Sequence, residues 1–285
     1  MTGPVQVEGR VLATRAVGAY QHLTLLAPGV AATALPGQFV ALSIGDEQSS
    51  MLLRRAFSIH RCSPTGTLEV VVADVGPGTH WIVSRRVNDA IGVVGPAGRP
   101  FPIPPEPVSC TLVGGGYGSA PLFWLAEVLR ENGCRVDIVL GAATEGRLFG
   151  VDDARRLAAT ATVTTDDGSL GTRGLVTDVL PEVLERAGTG VVYACGPMAM
   201  LRAVTDVATA YGAVTQVAVE ESMACGIGVC MTCVLPVVGA DGRTRMVRSC
   251  VEGPVFRGDR VRWDAWQDGV GTVPRDAVGV PGGLS

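Results

Sequence analysis

Short apolar runs alternate with glycine and proline turns over the first third of the chain, from Val5 to about Phe101. The runs at 38–42 and 68–75 are examples. Strands of this length, separated at regular intervals by turns, are typical of an all-β barrel or sandwich. The sequence PIPPEP at 102–107 can continue neither a strand nor a helix, so it predicts a semi-rigid linker.

The pattern changes after this linker to apolar runs that alternate with helical stretches. Predicted strands cover 110–113, 135–140, 161–165 and 191–194. Predicted helices cover about 120–131, 175–186 and the segment that ends near residue 211. Strands that alternate with helices form parallel sheets, so this part predicts a doubly wound α/β domain.

These changes divide the chain into four segments, which gives a multidomain fold class. The segments are a β-barrel at 1–102, an α/β parallel-sheet domain at 103–214, a small cysteine-containing domain at 215–263 and a tail at 264–285. The tail is rich in glycine and proline and is predicted to be either mobile or docked on a partner.

Composition and charge exclude several classes of protein. The length of 285 residues suggests about two domains. All 23 basic residues are arginines, which excludes a lysine Schiff base and a P-loop lysine. The net charge of −4 argues against nucleic acid or an anionic membrane as partner.

No apolar run approaches the roughly 18 to 20 residues that span a bilayer. The N-terminus also lacks the apolar core of a signal peptide, so we expect a soluble, cytoplasmic protein.

Four cysteines near the C-terminus carry the strongest chemical signal: Cys225, Cys230, Cys233 and Cys250. The first three stand in CGIGVCMTC, and the spacing Cx4Cx2C with a distant fourth cysteine is the plant-type pattern for a [2Fe-2S] cluster. Structural zinc is the alternative, although only Cys230 and Cys233 form a CxxC pair. Disulfides require an oxidising compartment, and three core cysteines within nine residues amid glycines are hard to explain by packing. The pattern therefore predicts an iron-sulfur cluster.

A glycine-rich turn, GGGYGSAP at 114–121, follows a predicted strand and opens a predicted helix. Backbone N–H groups and the helix dipole make such a turn suitable for a pyrophosphate. The turn lacks a clean GxGxxG, and Gly141, Ala142 and Ala143 stand where an acidic residue is expected. A tight turn without a ligand is the alternative.

The β-rich segment holds a second candidate ligand site, RRAFSIH at 54–60. Arg55 is able to bind a phosphate, Phe57 to contact a flavin ring and Ser58 to hydrogen-bond its N5. An ordinary strand with Phe57 in the core is the alternative. The sequence VGPGTHW at 75–81 adds a turn in which successive N–H groups are suited to phosphate.

The order of these motifs, with GPAGRPF at 95–101 and YACGPMAM at 193–200, resembles the ferredoxin reductase family over nearly the whole chain. In that family a β-barrel holds FAD and an α/β domain holds a nicotinamide nucleotide. TTDDGSLGTRGLVTD at 164–178, VEESMACGIGVCMTC at 219–233 and RSCVEGPVF at 248–256 are similar to one branch. That branch comprises the electron-transfer subunits of NAD-linked, class 1B dihydroorotate dehydrogenases.

The resemblance implies roles for particular residues. FAD would contact Arg55, Ala56, Phe57 and Ser58, with Val71, Val72 and Ala73 lining its site and Gly78 and Thr79 at its pyrophosphate. The nicotinamide nucleotide would contact Gly115, Gly116 and Gly118, with Cys195, Gly196, Pro197 and Met198 at its nicotinamide end. The four C-terminal cysteines would bind the cluster. The family usually has proline at Ala56 and a basic residue at Ala73, so weak FAD retention is predicted.

The resemblance also implies an activity and partners. Electrons would pass from the FMN of a dihydroorotate-oxidising catalytic subunit through the cluster and FAD to NAD⁺, in a heterotetramer with two copies of each subunit. Asp166 and Asp167 favour NADH over NADPH, whereas Arg147 is able to favour NADPH, and a turn-capping Asp pair is the alternative.

Two other functions stay open at this point. The first is a flavin iron-sulfur reductase that serves another partner, such as ferredoxin or a sulfur-compound reductase. The second, less favoured, is a redox-sensing module. His22, His60 and His80 are interpreted as strand or loop residues rather than ligands, and Glu220 and Glu221 as a solvated pair.

Overall fold

A computed structural model of the chain describes residues 3–45, 49–267 and 270–278. The predicted tail at 264–285 lies partly outside these ranges, so its last seven residues are not described. None of the described helices is both long enough and apolar enough to cross a membrane.

The N-terminal part forms a closed antiparallel barrel, as the resemblance predicted. Its strands are β1 (Val5–Val17), β2 (Tyr20–Leu26), β3 (Phe39–Leu42), β4 (Arg55–Cys62), β5 (Thr67–Ala73) and β6 (Ala90–Ala97). They are ordered β1-β2-β5-β4-β3-β6, and β6 closes the barrel on β1. Alternate side chains such as Leu23, Leu25, Val70 and Val72 fill the interior and are fully buried. Closure leaves no open edge among the six described strands of this barrel.

Two short helices in the barrel domain were not predicted, α1 (Pro28–Ala31) and α2 (Pro77–Val83). Helix α2 occupies most of the segment that the sequence predicted as a glycine turn, and this prediction was wrong. Pro77 starts the helix because the first turn needs no N–H from it. The Oγ1 of Thr79 accepts hydrogen bonds from the amides of Val75 (2.9 Å) and Gly76 (3.0 Å), which fixes the entry into the helix.

The α/β domain has a sheet of seven strands in the order β10-β9-β8-β7-β11-β12-β15. The strands are β7 (Ser109–Gly115), β8 (Arg135–Ala142), β9 (Thr160–Thr165), β10 (Thr172–Arg173), β11 (Val191–Cys195), β12 (Val214–Ala218) and β15 (Val255–Arg257). All neighbours are parallel except β12 and β15. The chain order reverses between β7 and β11, and doubly wound sheets bind ligands outside the strand ends at such a point.

Four helices cover the two faces of this sheet: α3 (Ala120–Glu131), α4 (Val151–Leu157), α5 (Val176–Ala187) and α6 (Met198–Ala210). Apolar residues of α3 and α4 pack in one core, and those of α5 and α6 pack in another. Helices α3, α5 and α6 match the sequence prediction within a few residues. Helix α4 was not predicted, since its seven residues are too few to show a helical repeat.

The cysteine-containing part has the hairpin of β13 (Val234–Val238) with β14 (Thr244–Arg248), and the predicted tail holds two paired antiparallel strands, β16 (Trp266–Gln267) and β17 (Val270–Gly271). Strand β12 crosses the boundary predicted at 214, and β15 joins the sheet from beyond it. The domain limits stay a prediction. Cys233 and Cys250 are buried against Phe39 and Ala97 of the barrel. The cysteine loop therefore lies directly against the barrel wall.

Candidate functional site

A cleft of about 240 Å³, here called the barrel cleft, lies between the barrel and the α/β domain. The residues predicted for FAD that line it are Arg55, Ala56, Phe57, Ser58, Val71, Ala73 and Thr79. Gly118, Cys195 and Gly196 line its opposite side. Val72 does not reach the cleft, because successive residues of a strand point to opposite faces and Val72 fills the barrel core.

Arg55 and Gly78 lie in contact beside this cleft. A Cβ atom added to Gly78 would stand 2.7 Å from Nε of Arg55, so the guanidinium would have to move if Gly78 were replaced. Nη1 of Arg55 donates a 2.8 Å hydrogen bond to the carbonyl of Leu53, which orients the guanidinium. Among the described lining residues of the barrel cleft, Arg55 carries the one positive charge.

A second cleft, of about 480 Å³ and here called the sheet cleft, opens at the ends of β7 and β11. The residues predicted for the nucleotide that line it are Gly115, Gly116, Gly118, Asp166, Gly196 and Pro197. The turns after β7 and β11 touch, since a Cβ on Gly118 would lie 2.9 Å from Cα of Gly196. Gly116 has a φ of +54°, a conformation that favours glycine.

The remaining residues predicted to contact the nucleotide do not line the sheet cleft. Met198 is buried in the helical layer away from the sheet cleft, and Met200 lines the cleft instead. The Cys195 thiol is buried, which raises its pKa to about 12. Asp167 caps a turn by accepting hydrogen bonds from the amide (3.0 Å) and hydroxyl (2.6 Å) of Ser169. These hydrogen bonds lower the pKa of Asp167.

Sequence reasoning missed an aromatic and acidic group between the two clefts. Tyr117 and Glu220 line both clefts, and the Tyr117 hydroxyl donates a 3.0 Å hydrogen bond to Glu220 Oε1. The Tyr20 ring lies 5.5 Å from that of Tyr117, and its hydroxyl donates to the Arg147 carbonyl (2.7 Å). Glu221 lines the barrel cleft, and burial raises its pKa to about 7. The feature of the sequence that could have indicated this group was the tyrosine inside the glycine turn at 114–121.

The four C-terminal cysteines meet in a loop built on left-handed backbone. Gly226 and Gly228 have φ values of +69° and +84°, and Met231 has +60°. Nη1 of Arg248 donates a 2.9 Å hydrogen bond to the carbonyl of Gly228, while Nη2 pairs with Glu252 (2.9 Å). Arg248 therefore ties the loop to the segment that carries Cys250.

The thiols interact in two pairs. Cys225 and Cys230 perturb each other's pKa, and the Cys233 thiol helps burial to raise the pKa of Cys250. The structure describes all four of these residues. No three of their sulfur atoms lie within 4.8 Å of one another. A single tetrahedral zinc with Zn–S bonds of about 2.3 Å would hold all four sulfurs about 3.8 Å apart. The paired arrangement fits two iron ions with two thiolates each.

The backbone favours thiolates in this loop. The amides of Ile227, Val229 and Cys230 donate to Sγ of Cys225 at 3.3–3.5 Å. Burial opposes ionisation of Cys225, but these N–H groups outweigh it and lower its pKa to about 6. The Thr232 hydroxyl donates to Sγ of Cys230 (3.1 Å) and lowers its pKa. Burial raises the pKa of Cys250 to about 12, and a bound metal ion displaces such a proton. The donor set thus fits a [2Fe-2S] cluster.

The fold and the two clefts define a ferredoxin reductase-like oxidoreductase, and comparisons with known proteins agree. A family model described as the iron-sulfur cluster binding domain of dihydroorotate dehydrogenase B matches residues 220–262. A second, the oxidoreductase NAD-binding domain, matches residues 112–206. The first match supports the cluster over zinc for the four cysteines.

Curated relatives cover most of the chain. Dihydroorotate dehydrogenase B (NAD(+)), electron transfer subunit, of Desulforamulus reducens is 34% identical over 84% of this chain and 90% of the relative. The protein of the same name from Listeria monocytogenes is 35% identical over 90% of this chain and 99% of the relative. The chain belongs to this family of NAD-linked electron-transfer subunits.

Solved structures share the architecture. The structure described as an NADH-dependent reduced ferredoxin-NADP oxidoreductase, studied for flavin-based electron bifurcation, has a TM-score of 0.79 and 32% identity. That match covers 90% of each chain. A ferredoxin NADP+ reductase from Neisseria gonorrhoeae, with FAD and NADP bound, has a TM-score of 0.59 and 17% identity over 73% of this chain and 92% of that chain. The second likeness shows the fold alone.

Proposed function

We propose that the chain carries electrons from the FMN of a dihydroorotate-oxidising catalytic subunit to NAD⁺, by way of its [2Fe-2S] cluster and FAD. The main support for the proposal is that one side chain lies between the cysteine loop and the barrel cleft and contacts both. Phe39 packs against Cys233 and Cys250, and it also lines the barrel cleft. A cofactor in each place would be separated by little more than this side chain.

The barrel cleft is the proposed FAD site, and the sheet cleft is the proposed NAD(H) site. Arg55 and Gly78 would hold the FAD phosphates, and Ser58 would offer a hydroxyl to the flavin ring. The flavin supplies the change between single-electron and hydride chemistry. Gly118 and Gly196 line both clefts, which supports close approach of the two ligands. The Asp166 carboxylate in the sheet cleft would repel the 2′-phosphate of NADPH and so favours NADH.

The surface around the cluster loop supports a protein partner. The side chains of Ile227, Val229 and Met231 are 48%, 74% and 50% exposed. No charged residue occurs between Ser222 and Ala240. An exposed apolar surface beside a redox centre suits docking of another protein. We place the FMN subunit here, in a heterotetramer with two copies of each subunit.

A flavin iron-sulfur reductase with another partner is the second candidate. It is favoured by the similarity, over nearly the full length, to an NADH-dependent ferredoxin-NADP oxidoreductase chain. Both candidates use the same clefts and the same cysteines. They differ in the protein that meets the cluster.

An anaerobic reconstitution distinguishes the two candidates. The chain, loaded with cluster and FAD, is mixed with the FMN subunit of a dihydroorotate dehydrogenase B, and dihydroorotate-dependent NAD⁺ reduction is followed. We expect turnover with the unchanged chain, and NADH reduction of FAD without transfer between subunits for Cys230→Ser. Cys62→Ser, outside the cluster loop, is the matched control and keeps both activities. Absence of a stable complex and of turnover, with NADH still reducing FAD and then ferredoxin, would establish the second candidate.

A further inference from the structure

Three side chains with metal-ligating atoms meet on the outer face of the barrel, far along the chain from the cysteines. They are His22 on β2, His60 on β4 and Glu69 on β5, and one ligand atom from each lies within 4.8 Å of the others. Strand β5 lies between β2 and β4, which brings the three side chains to neighbouring positions. The histidine rings are perpendicular, with centroids 5.3 Å apart.

Strand alternation explains why His60 points to this face, and a strand irregularity places Arg61 on the same face. Ile59 fills the barrel core, and β4 shifts its register against β5 between Ile59 and Arg61. A bulge of this kind adds one residue to a strand and redirects a side chain, often next to a functional site. His60 and Arg61 therefore both lie opposite Glu69, and the ring of His60 is directed away from the core.

The protonation of His60 is fixed by the α/β domain. Nδ1 of His60 lies 2.6 Å from the carbonyl of Ala120 at the start of α3, so Nδ1 carries the proton and donates it. Nε2 then carries a lone pair that is able to bind a ligand, and Nη1 of Arg61 lies 3.5 Å from it. Burial lowers the pKa of His60 to about 4, so the ring is neutral at neutral pH. Metal-binding histidines commonly donate their other ring N–H to a carbonyl in this way.

His22 and Glu69 are hydrogen-bonded to each other and lie slightly closer together than two ligands on one zinc ion would. Nε2 of His22 lies 3.1 Å from Oε2 of Glu69. Two ligands at about 2.0–2.1 Å from a tetrahedral zinc are about 3.3–3.4 Å apart. A zinc ion would replace the proton that these two atoms now share.

We propose that His22, His60 and Glu69 form a zinc site whose fourth position opens into the neighbouring cavity. This cavity, of about 500 Å³ between the barrel and the α/β domain, is lined by both histidines. Two histidines and one glutamate, with one open position, form a known zinc donor set. The site is distinct from both clefts and from the cysteine loop.

The charges around the site permit a cation. Three arginines line the cavity, Arg15, Arg61 and Arg155, and Arg61 competes directly, since its Nη1 lies 3.5 Å from Nε2 of His60. Its guanidinium is paired with Glu127 (2.8 Å) and Asp153 (3.7 Å), which offset its charge. The hydrogen bond from His22 lowers the pKa of Glu69, so its carboxylate is ionised at neutral pH.

Metal binding is tested on the full chain with its cluster and FAD in place. Titration with Zn²⁺ is followed by calorimetry and thermal unfolding, with Mg²⁺ as the comparison ion. We expect about one equivalent of zinc and a higher Tm, because a ligand that binds only the folded chain stabilises it. Co²⁺ should show d–d bands without thiolate-to-metal charge transfer.

Single-residue variants test whether these side chains bind the zinc ion. Glu69→Gln and His22→Gln should each weaken zinc binding at least tenfold while leaving the iron content unchanged. His80→Gln is the matched control, because His80 forms an exposed pair with Asp74 (2.9 Å) and is not part of the three-residue group. Zinc affinity that is unchanged in both site variants, thiolate charge transfer with Co²⁺, or no zinc binding at all would each overturn the proposal.

Discussion

The hydroxyl of Tyr117 donates a 3.0 Å hydrogen bond to the carboxylate of Glu220, and this pair stands between the barrel cleft and the sheet cleft. Tyr117 belongs to the glycine turn after β7, whereas Glu220 belongs to the segment that leads to the cysteines. Burial, together with the negative charge of Glu220, raises the pKa of Tyr117 and keeps it a donor. The bond therefore joins the nucleotide-binding turn to the cysteine-containing part.

A double-mutant cycle measures this link. Tyr117→Phe, Glu220→Ala and the double variant are compared by urea unfolding. We expect a coupling energy of about 1 kcal/mol, because each single change removes the same hydrogen bond. Since both side chains line both clefts, the affinities for FAD and NADH should change together. Effects that add within about 0.3 kcal/mol would show that the bond contributes nothing.

Replacing Gly228 by alanine should disturb the cluster loop more than the same change elsewhere. At a φ of +84° any L side chain is strained, and the new Cβ would stand 2.5 Å from Cγ2 of Val251. Gly242→Ala is the matched control, with a φ of +74° and open space around it. We expect a loss of about 1 kcal/mol in unfolding free energy for Gly242→Ala and an additional 1–3 kcal/mol, roughly, for Gly228→Ala.

Iron content of the two variants gives a second measurement. Gly228→Ala should retain less iron and a weaker reduced-cluster EPR signal, while Gly242→Ala should match the unchanged chain. Equal stability and equal iron in both variants would mean that the loop adapts without cost.

Local pattern predicted the architecture well, because the two main domains differ in period. Helix α3 has the predicted bounds of 120–131, since its apolar positions recur with helical spacing and Gly133 follows it. Helix α4 was missed because its seven residues are too few to show a helical repeat. Strand β12 crosses a predicted boundary because its neighbour β15 comes from the cysteine-containing part, a pairing that local pattern does not encode.

The site was predictable where a motif is continuous. The cysteine loop and the glycine turn after β7 are such motifs, whereas the turn predicted at 75–81 is largely occupied by helix α2. Strand alternation separates Val71 and Ala73 from Val72, but the resemblance alone assigned all three to FAD. Tyr117 and Glu220 are 103 residues apart, and only the tertiary fold brings them together.

The close contact between the turns after β7 and β11 predicts an effect on nucleotide binding. A Cβ on Gly118 would lie 2.9 Å from Cα of Gly196 and 3.1 Å from the carbonyl oxygen of Cys195, so backbone has to move. Gly118→Ala should lower NADH affinity at least tenfold in a titration. Gly190→Ala, whose Cβ would have no neighbour nearer than 3.9 Å, is the control and should bind NADH normally. Normal binding by both variants would contradict the assignment of the sheet cleft.

The raised pKa of Glu221 predicts that the unfolding free energy of the chain depends on pH. Burial in the wall of the barrel cleft raises its pKa from 4.5 to about 7, and its Oε1 is buried without a hydrogen-bond partner in the part of the chain that the structure describes. The folded chain therefore binds this proton more tightly than the unfolded chain. The resulting stabilisation is complete below the unfolded pKa and is lost as the pH rises through the folded one.

The unfolding free energy should accordingly fall by on the order of 1 kcal/mol across this pH window, less than full burial would give, because water screens the exposed part of the side chain. Urea unfolding between about pH 5 and pH 8 measures the slope. Glu221→Gln should flatten it and make the chain more stable at the high-pH end, since an amide has no proton to lose. Glu106→Gln, at an exposed position in the linker, should keep the slope of the unchanged chain. If Glu221→Gln and the unchanged chain gave parallel curves, the carboxyl group of Glu221 would not be the group that titrates.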